Sequence, residues 1–190
     1  MTPLPATLLE SVAAAAVREG LADAVFTRLR TPIGRLLVVQ GAHGVVRVGF
    51  EEEPEDRVLA EVAGRLGPRI VGSERELAGT REALEAYFAG EADPSVPVDL
   101  SLVGAPFRRA VLETLHGSVS RGEVVTYGAL ARRAGNERAH RAAATACARN
   151  PVPILVPCHR VVPAGGGIGT YGGGHERKRV LLELEGALER

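Results

Sequence analysis

A thiol and an imidazole stand side by side at Cys158-His159, within Asn150-Pro-Val-Pro-Ile-Leu-Val-Pro-Cys-His-Arg-Val-Val162. These are the parts of nucleophilic chemistry. A cysteine with an ordinary pKa of about 8.5 is mostly protonated at neutral pH, and a neighbouring base can take its proton as attack begins. The dipeptide alone is weak evidence, because free cysteine is among the most buried residue types. Its setting adds weight. Prolines at 151, 153, 157 and 163 remove N–H donors and predict an extended, stiff backbone, a poor helix or central strand. A rigid loop holding out one side chain is what preorganised chemistry requires.

Triad logic asks for a carboxylate to orient the histidine. Glu185 is the best candidate. It lies beside the apolar stripe Leu181, Leu184 and Leu188 and just before Gly186, near a helix C-terminus where the macrodipole disfavours an acid. An acid in two unfavourable places should have a partner. Glu183 and Glu189 lack the first feature and read as solvated. Between cysteine and glutamate runs Pro163-Ala-Gly-Gly-Gly-Ile-Gly-Thr-Tyr-Gly-Gly-Gly174. It lacks the lysine ending of a phosphate loop. It suits a pocket wall, since glycine lets backbone approach a planar ligand and Tyr171 offers a face to stack.

The elements that must position these groups are legible in outline. Residues 6–22 predict an amphipathic helix. The runs 24–30, 34–40 and 44–50 predict a three-stranded antiparallel meander, with turns at Thr31-Pro-Ile-Gly and Gly41-Ala-His-Gly. Helices are expected over 55–66 and 73–89, with a short strand near 69–71 between them. Two prolines in Gly90–Asp99 mark a linker. Pro106 suits the first turn of a helix, and Phe107, Ala110, Val111, Thr114 and Leu115 then keep helical spacing. Thr126 can cap a helix over 127–134. Gly135-Asn136 breaks it, and a second helix is expected over about 138–149. Together these form a candidate helix-turn-helix. On its second helix Arg138, Arg141, Thr145 and Arg149 should share a face, with Ala143 and Cys147 opposite. The fold class expected is α+β: a small antiparallel-sheet N-terminal domain, then a mainly helical C-terminal domain. The expected boundaries are 1–23 (a helical extension), 24–99 and 100–190.

Charge sharpens this. The chain has 190 residues and zero net charge. Residues 1–100 nevertheless carry ten arginines against sixteen acids, whereas residues 101–190 carry thirteen basic residues against seven acids. A basic C-terminal half is the footprint expected for a polyanion such as DNA. Two cysteines are too few for a disulfide framework or an all-cysteine zinc site. The alanine-rich run 12–17 lacks a basic region before it and is too short to span a bilayer. A cytoplasmic protein with a reduced thiol is expected, with no membrane partner.

On these residues the chain resembles the O6-alkylguanine-DNA alkyltransferases (methylated-DNA–protein-cysteine methyltransferases). The resemblance rests on Thr31-Pro-Ile-Gly-Arg-Leu-Leu-Val-Val, Gly44-Val-Val-Arg-Val-Gly-Phe, Gly122-Glu-Val-Val-Thr-Tyr-Gly-Ala-Leu-Ala, the specific Asn150–Val161 string, and Gly169-Thr-Tyr-Gly-Gly-Gly through Glu185-Gly186. It implies that Cys158 accepts the alkyl group, activated through a water by His159, which Glu185 orients. It implies that Tyr127 donates to guanine N3, that Arg141 fills the gap left by a flipped base, and that Asn150 is the hinge between recognition helix and cysteine loop. Backbone carbonyls of Cys158 and Val161 would accept from the guanine amino group. Tyr171 and the backbone amides of Tyr171, Gly172 and Gly173 would line the pocket near O6. Thr126, Arg138, Arg141, Thr145 and Arg149 are the expected DNA-contacting residues. The implied reaction is a single-turnover transfer with no cofactor and no metal. The implied partner is double-stranded DNA carrying O6-alkylguanine, with O4-alkylthymine a second candidate, bound by a chain that is monomeric in free solution; cooperative binding on DNA is left open. Gly172 departs from the family, where many relatives have serine, so a hydroxyl contact to O6 is lost. Two other readings use part of the same evidence. A Cys-His-Glu hydrolase would share the triad but turn over, and a helix-turn-helix regulator would bind DNA without taking up alkyl groups.

Overall fold

The structure is a computed structural model that describes residues 5–188. Residues 1–4 of the expected N-terminal extension, and Glu189, lie outside the described residues. Contacts divide the chain into two compact units: residues through Ala86 together with Pro94–Asp99, and Tyr87–Asp93 together with the chain from Leu100 onward.

In the first unit, α1 (Ala6–Arg18) is followed by β1 (Ala24–Thr31), β2 (Gly34–Gly41) and β3 (Gly44–Phe50). These strands form the expected meander, with Val25 opposite Gln40 and Leu36 opposite Phe50. Gly34 is needed at its turn: φ is +99°, and a Cβ there would run into the Glu51 carboxylate. After α2 (Glu55–Leu66), a fourth strand, β4 (Ile70–Gly72), pairs parallel with β1, giving the order β3-β2-β1-β4. The sheet is therefore mixed, because α2 carries the chain back along the sheet before β4 enters. Leu36, Leu37, Val38 and Val39 are all buried, so β2 is covered on both faces instead of alternating. α3 (Ala78–Phe88) starts five residues later than the spacing predicts, after a turn at 74–77. The stretch read as linker is partly used: Val45 N–H donates to Pro97 O at 2.8 Å and Asp99 N–H to Val45 O at 2.9 Å, so this segment lies along the edge of β3.

The second unit is built from α4 (Pro106–Ser118), α5 (Tyr127–Arg133), α6 (His140–Ala148) and α7 (His175–Leu184). α4 opens on Pro106 and buries Val111, Leu112 and Leu115 against α5 and α6. Thr126 caps α5, its Oγ1 accepting from Ala129 N–H at 3.2 Å. Two strands too short to show periodicity, β5 (Val125–Thr126) and β6 (Val161–Val162), pair in parallel, so the start of α5 is tied to the backbone just beyond Cys158. Among the described residues no helix is long and apolar enough to cross a membrane.

Candidate active site

The cysteine loop is less extended than its prolines predict. Val156 N–H donates to Val152 O at 2.9 Å and closes a tight turn, with Ile154 in left-handed backbone at φ +76°, a strained conformation for a β-branched residue. Asn150 holds this turn from inside. Its Oδ1 accepts from Val152 N–H at 3.0 Å, and its Nδ2 donates to Val156 O at 2.8 Å and to Cys158 Sγ at 3.1 Å. These local side-chain bonds, which the prolines cannot supply, explain the difference. Cys158, His159 and Arg160 then form one 3₁₀ turn, all three buried.

Behind the sulfur lies a buried charge network. His159 Nε2 is 2.8 Å from Glu185 Oε1, and both side chains are wholly inaccessible. Tyr87 Oη donates to the same oxygen at 2.7 Å. Arg160 donates through Nε to Glu185 Oε2 at 2.8 Å and through Nη2 to Oε1 at 2.9 Å. Arg160 also bonds Val119 O and pairs with Asp93. Burial alone would raise the Glu185 pKa, but the hydrogen bonds from His159 and Arg160 outweigh it and hold the carboxyl well below its usual range. An ionised carboxylate only accepts, so the contact assigns His159 the Nε2–H tautomer and leaves the Nδ1 lone pair as its basic site. Nδ1 is buried with no hydrogen-bond partner among the described residues. Burial lowers the His159 pKa despite Glu185, which keeps the ring neutral at pH 7.

In front of the sulfur is a pocket of about 230 Å³, lined by Tyr127, Ala144, Cys147, Ala148, Cys158, Thr170, Tyr171 and Gly172. Burial pushes the Cys158 thiol up to about 11, opposed by the Asn150 hydrogen bond and by the Lys178 charge. Cys147 is pushed up to about 12, chiefly by burial. Tyr171 meets His159 edge-on, with ring centroids 6.3 Å apart. Tyr127 is half-buried, and that burial raises its hydroxyl pKa. Gly172 has an ordinary φ, and a Cβ there would meet only Ala148 O, at 3.6 Å.

The sequence-predicted residues thus fall into three places. Cys158, Tyr127, Tyr171 and Gly172 share the pocket, while Asn150, His159 and Glu185 stand behind it. Arg141, Thr145 and Arg149 are exposed along α6 and its C-cap, with Ala143 and Cys147 buried opposite. Arg138 is exposed but precedes α6, where Asn136 Oδ1 accepts its N–H at 3.2 Å, so it lies in the turn and not on the helix face. Thr126 spends its hydroxyl on the α5 cap. Val161 O accepts from Lys178 Nζ at 2.6 Å. Gly173 is buried beside the pocket and does not line it. Sequence reasoning missed Tyr87, Arg160 and Lys178. Lys178 carried a signal, since it stands three residues before Leu181 on the apolar side of α7.

Comparison with known proteins places this geometry. The family model described as "6-O-methylguanine DNA methyltransferase, DNA binding domain" matches residues 106–187. The methylated-DNA–protein-cysteine methyltransferase of Haemophilus influenzae is 32% identical over 84% of this chain and 85% of its own length. That of Methanosarcina acetivorans is 36% identical over 83% of this chain and 95% of its own. A crystal structure of Mycobacterium tuberculosis OGT in complex with DNA superposes with a TM-score of 0.72 at 33% identity, covering 85% of this chain and 92% of that one.

Proposed function

This chain belongs to the methylated-DNA–protein-cysteine methyltransferase family, and we propose that it repairs DNA directly by moving the alkyl group of O6-alkylguanine onto Cys158. The observation that carries the reading is one sulfur set between a cavity and a buried His159–Glu185 pair.

The chemistry follows from the geometry. A target inside a base stack cannot reach a buried sulfur, so the base turns out of the duplex into the pocket. The exposed arginines at 138 and 149 engage phosphates, while Arg141 fills the space the base leaves. Tyr127 and Tyr171 hold the base, and the carbonyls of Cys158 and Val161 and the amide of Gly172 receive its edge. Near pH 7 the thiol is protonated, so its proton must leave as attack begins. His159 Nδ1 takes that proton through a bridging water, while Glu185 fixes the ring and stabilises the imidazolium. The Sγ–C bond forms, the C–O6 bond breaks, and Tyr127 supplies a hydrogen bond or proton at N3 as guanine departs. The product is a thioether, which water does not readily cleave, so each chain acts once without a dissociable cofactor. We place this chemistry in the cytoplasm, where the thiol stays reduced.

The test is the intact mass of the chain after incubation with duplex DNA containing O6-methylguanine. One added CH2 per chain, mapped to Cys158 and absent in Cys158→Ala, is expected. An unmodified folded wild type, or hydrolytic turnover of a fluorogenic ester without mass gain, rejects the proposal.

A further inference from the structure

Lys178 is the one lysine in a chain whose other basic residues are all arginine. It is fully buried, at 0% exposure. Its ammonium donates to Val161 O at 2.6 Å and Thr170 O at 3.3 Å. Among the described residues no carboxylate pairs with it, and Glu185 is already committed to His159, Arg160 and Tyr87. A desolvated cation without a counter-ion is expensive. Both acceptors flank the reacting sulfur: Val161 is three residues beyond Cys158, and Thr170 lines the same pocket. The groups coupled to the ammonium are thiols. Cys158 and Cys147 raise the Lys178 pKa against the lowering effect of burial, and Lys178 lowers both of theirs.

We propose that Lys178 is a positioning residue whose ammonium supplies the counter-charge for the Cys158 thiolate during attack. This rests on the alkyl-transfer reading above. The thiol proton leaves through His159, and the sulfur anion then faces the ammonium while S–C forms and C–O6 breaks. The electron pair departs with guanine, which takes up a proton, and Lys178 keeps its own protons throughout. The other groups facing the sulfur are Asn150, Tyr127 of α5, Cys147 of α6, Tyr171 and the neutral His159, and none is a cation at pH 7.

The test is the rate of Cys158 alkylation by iodoacetamide against pH, followed by peptide mass mapping. It compares wild type with Lys178→Gln, Lys178→Met and Lys178→Arg, each checked for folding by thermal melting. Glutamine keeps hydrogen bonds to the two carbonyls without the charge. Its profile should move about one pH unit upward, roughly tenfold slower at pH 8, and Lys178→Arg should restore it. An unmoved profile in folded Lys178→Gln overturns the proposal, as does equal slowing by glutamine and arginine. Should the neutral variants unfold, wild type gives the second reading. Iodoacetate should gain on iodoacetamide at Cys158 severalfold relative to glutathione, and an equal or smaller ratio overturns it. No DNA is used, so this result is independent of methyl uptake, whose absence would instead reject the proposed function.

Discussion

Four hydrogen bonds converge on the two oxygens of Glu185, from Tyr87 and from the adjacent pair His159 and Arg160, all distant from the glutamate in sequence. Glu185→Gln strands the buried Arg160 without its main counter-charge and should cost about 3–5 kcal/mol, measured by urea denaturation. Asn150→Ala removes three bonds from the cysteine turn, and unmet buried partners should cost about 1–3 kcal/mol. The same denaturation assay checks this, and iodoacetamide labelling should show a perturbed Cys158. Glu185 was legible in sequence because an acid beside an apolar stripe at a helix end is physically uncomfortable there. Tyr87 and Arg160 were not, because each is ordinary in its own neighbourhood and becomes a partner only once distant segments meet.

At the scale of elements, what sequence patterning reaches depends on length. The three-stranded meander and α4 repeat their apolar spacing often enough to be read. Strands β5 and β6 have two residues each and carry no period at all. The start of α6 shifted because Asn136 bonds the Arg138 backbone, a local competition that helical spacing does not register. This shift bears on DNA contacts. Arg149→Ala, exposed at the α6 C-cap, should weaken binding to any duplex sequence and reduce the salt-dependence slope by about one, whereas Arg141→Ala, exposed on α6, should weaken binding with a smaller change of slope. Fluorescence-anisotropy titrations across salt concentrations measure both, and iodoacetamide reactivity of Cys158 should stay unchanged.

For the whole molecule, the buried groups set a pH window. Glu185 and His159 have folded pKa values below their unfolded ones, so the unfolded chain binds more protons and stability falls as pH drops below about 6.5. Cys158 runs the other way. Its folded value of about 11 exceeds the unfolded value near 8.5, so stability is lost as pH rises from about 8.5 toward the folded value. Thermal melting should therefore show a plateau between about pH 6.5 and 8.5, with its alkaline shoulder weakened in Cys158→Ala. The uneven division of charge between the halves was readable at once, since composition needs no fold. The way Glu185 screens Arg160 while Lys178 stays unscreened needed the folded chain.

The ladder joining Val125–Thr126 to Val161–Val162 has a mechanical consequence. Thr126 belongs at once to that ladder and to the cap of the helix that begins at Tyr127. A force applied to α5 is therefore carried, through two rungs of backbone, to the peptide just past the sulfur. In the proposed reaction the Tyr127 ring and the Cys158 sulfur move as one piece, so their spacing should outlast warming that loosens the glycine-rich wall. Slow amide exchange at the ladder, beside fast exchange from residues 164–169, would be the signature.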